Sequence, residues 1–115
     1  MIDQYSLLED LARLSKPIDE LRNLISTLKW DFEGTPFTLR RDHLLDVLQR
    51  YMAGELPAQS VEEWANLVEG REDMTFESRA KDFMETIVYE LANPELTESL
   101  SPQRAGEMVC LLTQN

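Results

Sequence analysis

The chain has 115 residues, of which 22 are acidic and 11 basic, and its formal net charge is −11. This balance argues against non-specific binding to nucleic acid or to anionic membrane surfaces, because both require a positive field. It favours cationic partners, or it serves solubility alone. The length predicts one domain, residues 1–115, that is large enough for a hydrophobic core.

Apolar residues at helical spacing predict about six helical segments with short connections and no strong strand. The first segment covers about residues 2–14. Ser15 is placed to cap a second helix that ends near residue 30. The linker at 31–37 alternates aromatic with polar residues, so a short extended piece is an alternative there. We therefore predict an all-α fold, a single-domain bundle of four to six helices with short loops.

Helix boundary signals are clearer from residue 38 onwards. Residues placed to begin helices are Thr38, Ser60 with Glu63 as a capping box, Thr75, and Ser101-Pro102. Residues placed to end helices are Gly54, Gly70 and Asn93-Pro94. On the fifth helix, Glu77, Lys81 and Glu85 follow one another at intervals of four residues. We predict that they form an i, i+4 ladder of alternating charge on the outer face.

Two arginines, Arg40 and Arg41, stand at the start of the predicted third helix. Positive charge there opposes the helix dipole and is mildly unfavourable. We therefore expect these arginines to pair with carboxylates of a neighbouring segment or to contact a partner.

The stretch 64–77 combines apolar anchors with acidic side chains. Trp64, Leu67 and Val68 fall on one helical face, which predicts that they pack into the core. The acids beside them, opposed only by Arg71, are Glu69, Glu72, Asp73 and Glu77. We predict a helix–loop–helix corner that presents an anionic cluster, and we take this corner as the candidate working surface.

The negative charge is concentrated around this corner. Residues 55–98 hold twelve acids and three bases, a net charge of −9 out of the total of −11. Such a concentration costs self-repulsion in the folded state, which surface substitutions would readily relieve. Its presence therefore favours a cationic partner, for which acidic complementarity raises association rate and specificity.

The cysteine content, the N-terminal residues and the lengths of the apolar runs predict a cytoplasmic protein. Cys110 is the single cysteine, so no intramolecular disulfide forms, which fits a reducing compartment. The N-terminal residues lack the features of a signal peptide, and no run approaches the ~18 apolar residues of a membrane span.

The residue types that support catalysis are sparse. His43 is the only histidine and is expected at the surface or boundary of the third helix, whereas Cys110 is expected in the core. A Cys–His pair is an open alternative. The carboxylates of the 64–77 stretch form an alternative site for Ca²⁺ or Mg²⁺, but their spacing is not that of an EF-hand loop. We expect no catalytic residue, no metal and no cofactor, with a small enzyme as the third hypothesis.

Segments of residues 38–95 carry a resemblance to a family. They are Arg41-Asp42-His43-Leu44, Leu48-Gln49-Arg50-Tyr51, Gly54-Glu55-Leu56, Glu63-Trp64-Ala65, Glu69-x-Arg71-Glu72-Asp73 and Tyr89-Glu90-Leu91-Ala92-Asn93-Pro94. In these segments and in its overall pattern, the chain resembles the small acidic all-helical immunity proteins of bacterial toxin systems, of the contact-dependent growth inhibition and colicin types.

The resemblance implies a binding protein rather than an enzyme. Such a protein occupies a cationic toxin domain, often a nuclease, and blocks its active site or substrate groove. The residues that the resemblance assigns to the partner are Glu62, Glu69, Glu72, Asp73, Glu77 and Asp82. An acidic adaptor or regulatory protein with another basic partner is the alternative, and the oligomeric state is left open.

Overall fold

A computed structural model describes residues 4–26, 36–69, 71 and 73–114. Its helices are α1 (Gln4–Arg13), α2 (Ile18–Ile25), α3 (Arg41–Met52), α4 (Ala58–Val68), α5 (Lys81–Ala92) and α6 (Pro102–Thr113). Its strands are β1 (Phe37–Leu39) and β2 (Met74–Phe76), which pair in parallel. The described part is mostly helical, as predicted, with a small two-stranded sheet added. The predicted end of the second helix near residue 30, and Gly70, lie outside the described residues.

Among the described residues, Trp64 of α4 is the largest fully buried side chain of the core. This side chain is completely buried, and its Nε1–H donates a hydrogen bond of 2.6 Å to the Leu11 carbonyl of α1. A large aromatic side chain whose one polar atom is satisfied contributes strongly to a core. Val68, one turn later, is also buried. The prediction that the 64–77 stretch is anchored in the core is therefore confirmed.

Two predicted helix starts belong to strands instead. Thr38 lies in β1 rather than capping α3, and Thr75 lies in β2 rather than beginning α5. The register pairs Phe37 with Met74 and Leu39 with Phe76, so the apolar residues share one face of the sheet and the threonines the other. Three residues are too few for this period of two to be distinguished in sequence from the start of an amphipathic helix.

His43, rather than Thr38, completes the start of α3. Its Nδ1 accepts a hydrogen bond of 2.9 Å from the backbone N–H of Arg40, the N-cap residue. This is the backbone contact that Glu or Gln makes in a capping box. His43 is only 3% exposed, so the expectation of a surface or boundary position was wrong. Its Nε2 is buried without a hydrogen-bond partner among the described residues.

The other predicted boundaries divide into correct and incorrect ones. Gly54 ends α3 with a φ of 83°, the left-handed conformation that glycine accommodates. Ser101 caps α6, since its Oγ accepts a bond of 3.1 Å from the Arg104 backbone N–H. However, α4 begins at Ala58 after the N-cap Pro57, so Ser60 lies inside the first turn and the predicted capping box does not form. Glu63 pairs with Arg22 of α2 at 3.3 Å instead.

The buried position of His43 predicts a pH dependence of stability. Burial lowers its pKa below the ordinary value, and the charges of Arg40 and Arg13 act in the same direction, against the opposite effects of Asp42 and Glu9. The unfolded chain therefore binds the proton more readily than the folded chain. The contribution of His43 to stability is complete above its unfolded pKa of about 6.5 and is lost as the pH falls through it and towards the folded pKa.

We predict that lowering the pH from about 7 to about 5 destabilises the wild-type protein more than the His43→Gln variant. Glutamine retains an acceptor for the Arg40 N–H but does not titrate. Urea unfolding at both pH values measures the two losses. Because both proteins share the same carboxylates, equal losses of unfolding free energy would contradict the assigned role of His43.

Candidate functional site

A cleft of about 540 Å³ lies beside β2, between the end of α4 and α5. Its apolar lining consists of Leu39, Val68, Met74, Phe76 and Val88. Polar and charged side chains complete it: Glu69, Arg71, Thr75, Lys81, Glu85 and Tyr89. Most of these residues belong to the 64–77 stretch and to the polar face of α5. The cleft therefore combines an apolar floor with exposed charged groups.

The helix α5 presents a polar face to this surface. Its buried residues are Met84, Ile87, Val88, Leu91 and Ala92, at the spacing of an amphipathic helix. Asp82, Glu85 and Tyr89 are exposed on the other side, and Tyr89 is 46% exposed. Tyrosine is one of the residue types that are enriched among the side chains contributing most to protein–protein binding.

Asp73 is held inside the fold. It lies in the turn before β2, is 5% exposed, and accepts hydrogen bonds from Arg71 Nε at 2.8 Å and Arg71 Nη2 at 2.9 Å. A bidentate arginine–carboxylate pair is among the stronger protein hydrogen-bond arrangements. The pair neutralises Asp73 within the structure and leaves little of its charge for a partner.

Glu77 is likewise engaged, at the other end of β2. Its Oε2 accepts a bond of 2.9 Å from Arg41 Nε, and its Oε1 accepts one of 3.3 Å from the Arg41 backbone N–H. A carboxylate at the N-terminus of α3 is favoured by the helix dipole. The expectation that Arg41 pairs with a carboxylate of a neighbouring segment is confirmed. Glu77 precedes α5, so the predicted ladder with Lys81 and Glu85 does not form.

The remaining predicted partner-binding acids do not lie in one cluster. Glu69 is exposed at the cleft, where its Oε2 accepts a bond of 3.2 Å from Asn93 Nδ2. Asp82 is exposed in the first turn of α5. Glu62 is half-buried on α4 and lines a smaller cavity of about 220 Å³. Glu72 lies outside the described residues.

Sequence reasoning missed Glu85 and Tyr89 as cleft residues. The sequence pattern places Glu85 in the predicted charge ladder and indicates no individual role for Tyr89. Their spacing of four places both on one face of α5, and the sequence pattern Glu-x-x-x-Tyr on a polar helix face was the available signal.

The residues considered for catalysis are placed apart from this cleft. Cys110 is exposed, so the expectation of a core position was wrong: Met108 and Leu112, four apart, are buried in α6, and Cys110 lies between them on the outer side. His43 is buried at the cap of α3. In the described ranges, no group of three or more His, Cys, Asp or Glu residues is arranged to hold a metal ion.

Comparison with known proteins finds no matching family, no similar characterised protein and no similar solved structure. Across the described segments, none of the helices is both long and apolar enough to cross a membrane.

The pair of Arg71 with Asp73 is more buried than the pair of Arg41 with Glu77. We therefore predict that breaking the first pair lowers the free energy of unfolding more than breaking the second. Arg71→Gln leaves the buried Asp73 carboxylate without its bidentate partner, which typically costs about 3–5 kcal/mol. Arg41→Gln leaves Glu77, which is 27% exposed, partly solvated and still bound to the backbone N–H. Its expected cost is about 1 kcal/mol or less.

Urea unfolding of the two variants measures this difference in unfolding free energy. The double variant Arg71→Gln/Asp73→Asn serves as the control, because it removes the buried charge and should regain part of the stability lost in Arg71→Gln. Equal costs for the two single variants, or no recovery in the double variant, would show that Asp73 does not depend on Arg71.

Proposed function

We propose that this protein is an immunity protein, a non-enzymatic inhibitor that binds a cationic toxin domain and covers its active site. The observation that carries the proposal is the cleft beside β2, where Glu69 and Glu85 stand exposed over an apolar floor. Neither carboxylate forms an ion pair with a described residue. The proposed binding set is Glu69, Asp82, Glu85 and Tyr89, whereas Glu62 lines a separate cavity.

The internal ion pairs support this choice of residues. Arginines engage Asp73 and Glu77, and Arg104 engages Glu90 at 2.6 Å and Glu107 at 3.1 Å. These acids serve the fold, and hydrogen bonds to Glu90 and Glu107 raise the pKa of Arg104 above its ordinary value. The exposed acids of α5 and the cleft have no such partner among the described residues, so their field extends into solvent, where it attracts a cationic surface.

The cleft has the chemistry to receive a long basic side chain. The methylene stem of a Lys or Arg would cross the margin of the apolar floor, while its charged end meets Glu69 or Glu85 at the rim. The ring of Tyr89 offers a further contact to a cation. Lys81 at the same cleft repels a misplaced cation and so restricts the docking orientation.

A nuclease is the cationic target that this surface fits best. Its active site has to attract phosphate groups, so its substrate groove is positive. An acidic surface that docks there displaces the nucleic acid by occupying the same field. In this proposal the protein acts in the cytoplasm, where an incoming nuclease reaches its substrate.

The test is capture of the partner by the tagged protein from cells that carry its native locus, with washes at rising salt. We expect one stoichiometric basic polypeptide that is lethal when expressed alone and harmless when co-expressed with this protein. A basic partner whose expression is harmless would overturn immunity and support the adaptor hypothesis.

Two charge-reversal pairs locate the binding surface. Glu69→Lys with Glu85→Lys alters the cleft, whereas Glu20→Lys with Glu95→Lys makes the same change of net charge at exposed acids elsewhere. We predict a loss of affinity of about tenfold or more in the first pair only, since close interfacial charge pairs couple by about 1.5–7 kcal/mol. Equal losses in both pairs would show that net charge, and not the cleft, governs binding. Circular dichroism checks that both variants remain helical.

A further inference from the structure

The hydrogen bonds between β1 and β2 show which edge of β2 is free. The Phe37 N–H donates to the Asp73 carbonyl at 2.9 Å, and the Glu77 N–H donates to the Leu39 carbonyl at 3.0 Å. In a parallel pair, alternate residues of a strand turn both backbone groups to the same neighbour. These two hydrogen bonds and the register mean that the backbone N–H and C=O of Thr75 point towards β1. Met74 and Phe76 therefore direct their N–H and C=O groups away from it.

These four outward groups accept or donate no backbone hydrogen bond within the described residues. The cleft touches all three residues of β2, although the side chain of Thr75 points to the opposite face from those of Met74 and Phe76. The lining also includes Leu39 of β1, which pairs with Phe76, so the cleft extends over the apolar face of the sheet as well as along β2. An unpaired strand edge beside an open cleft is a template for another strand.

We infer that the partner adds an extended segment to this free edge of β2, as a third strand of the β1–β2 sheet. This inference rests on the proposed function and specifies how the toxin domain is held. Backbone bonds to Met74 and Phe76 would supply affinity that is independent of side chains, and the cleft would select the side chains of the added strand. The occupant is a segment in which apolar and basic residues alternate.

The chemistry of the cleft fixes that pattern. Consecutive side chains of a strand point in opposite directions, so one set faces the floor at Val68 and Val88 and the other set faces solvent. The floor requires apolar side chains, and the exposed Glu69 and Glu85 favour cations at the rim. A second copy of this chain is disfavoured as the occupant, because each copy has a net charge of −11.

A synthetic peptide tests the inference without the toxin. The probe is a capped peptide of about eight residues, the length of a typical strand, with alternating valine and lysine. We expect it to slow amide hydrogen exchange at Met74 and Phe76, as followed by NMR, and to leave Thr75 unchanged, because the Thr75 amide is already bonded to β1. The same peptide N-methylated at alternate residues on its pairing edge should give no protection.

A pair of protein variants isolates the backbone donor. Phe76→Ala removes the ring but keeps the outward N–H, whereas Phe76→Pro removes both. The N–H of Phe76 lies outside the β1–β2 ladder, and proline is tolerated at such an edge position. We expect Phe76→Pro to bind the peptide and the captured toxin at least about tenfold more weakly than Phe76→Ala, the factor that corresponds to about 1.4 kcal/mol.

Several outcomes would overturn the inference. The first is that millimolar peptide does not slow amide exchange at Met74 and Phe76. The second is that Phe76→Pro and Phe76→Ala bind the peptide equally well. The third is that amide exchange slows without peptide as the protein concentration rises, which would identify a second copy as the occupant. If the toxin is captured and lost on reversal of Glu69 and Glu85, but Phe76→Pro and Phe76→Ala bind it equally, strand addition fails while the proposed function stands. If no basic partner is captured, the proposed function fails instead.

Discussion

The placement of β2 depends on an arginine–carboxylate pair at each of its ends. Arg71 binds Asp73 before the strand, and Arg41 binds Glu77 after it. A two-stranded ladder of this length is too small to be stable alone. The pair of Arg41 with Glu77 joins α3 to the end of β2, and together with the packing of the apolar sheet face against the core it holds the strand in place. The pair of Arg71 with Asp73 holds the turn before the strand. The position of β2 in turn creates the cleft and leaves its outer edge open.

This arrangement divides the acidic residues into two groups with different consequences. Acids bound to arginines stabilise the fold and contribute little field at the surface, because their charge is neutralised within a few ångströms. Exposed acids such as Glu69, Asp82 and Glu85 have no ion-pair partner among the described residues, and they retain the self-repulsion that a net charge of −11 implies. A cationic partner would relieve that repulsion, which links the cost in the free protein to the proposed recognition.

The sequence predicted what depends on long periodic patterns and missed what depends on contacts between distant residues. The helical class and the burial of Trp64 follow from spacing over many residues. By contrast, the role of Glu77 is set by Arg41, which is 36 residues away in the sequence. Arg71 is only two residues from Asp73, but the burial of that pair depends on the surrounding fold. The strands were missed because three residues carry too little periodicity. His43 was misplaced because its cap is formed by a backbone N–H, which sequence pattern does not reveal.

Site-specific photo-crosslinking tests the central claim, that the cleft between β2 and α5 is the partner-binding surface. A photoreactive phenylalanine analogue would replace Tyr89 at the cleft or, as a matched control, Tyr5 on α1; these side chains are 46% and 41% exposed. In cells that carry the native locus, position 89 should crosslink to a single basic polypeptide and position 5 should not. Crosslinking from position 5 but not from position 89 would contradict the claim.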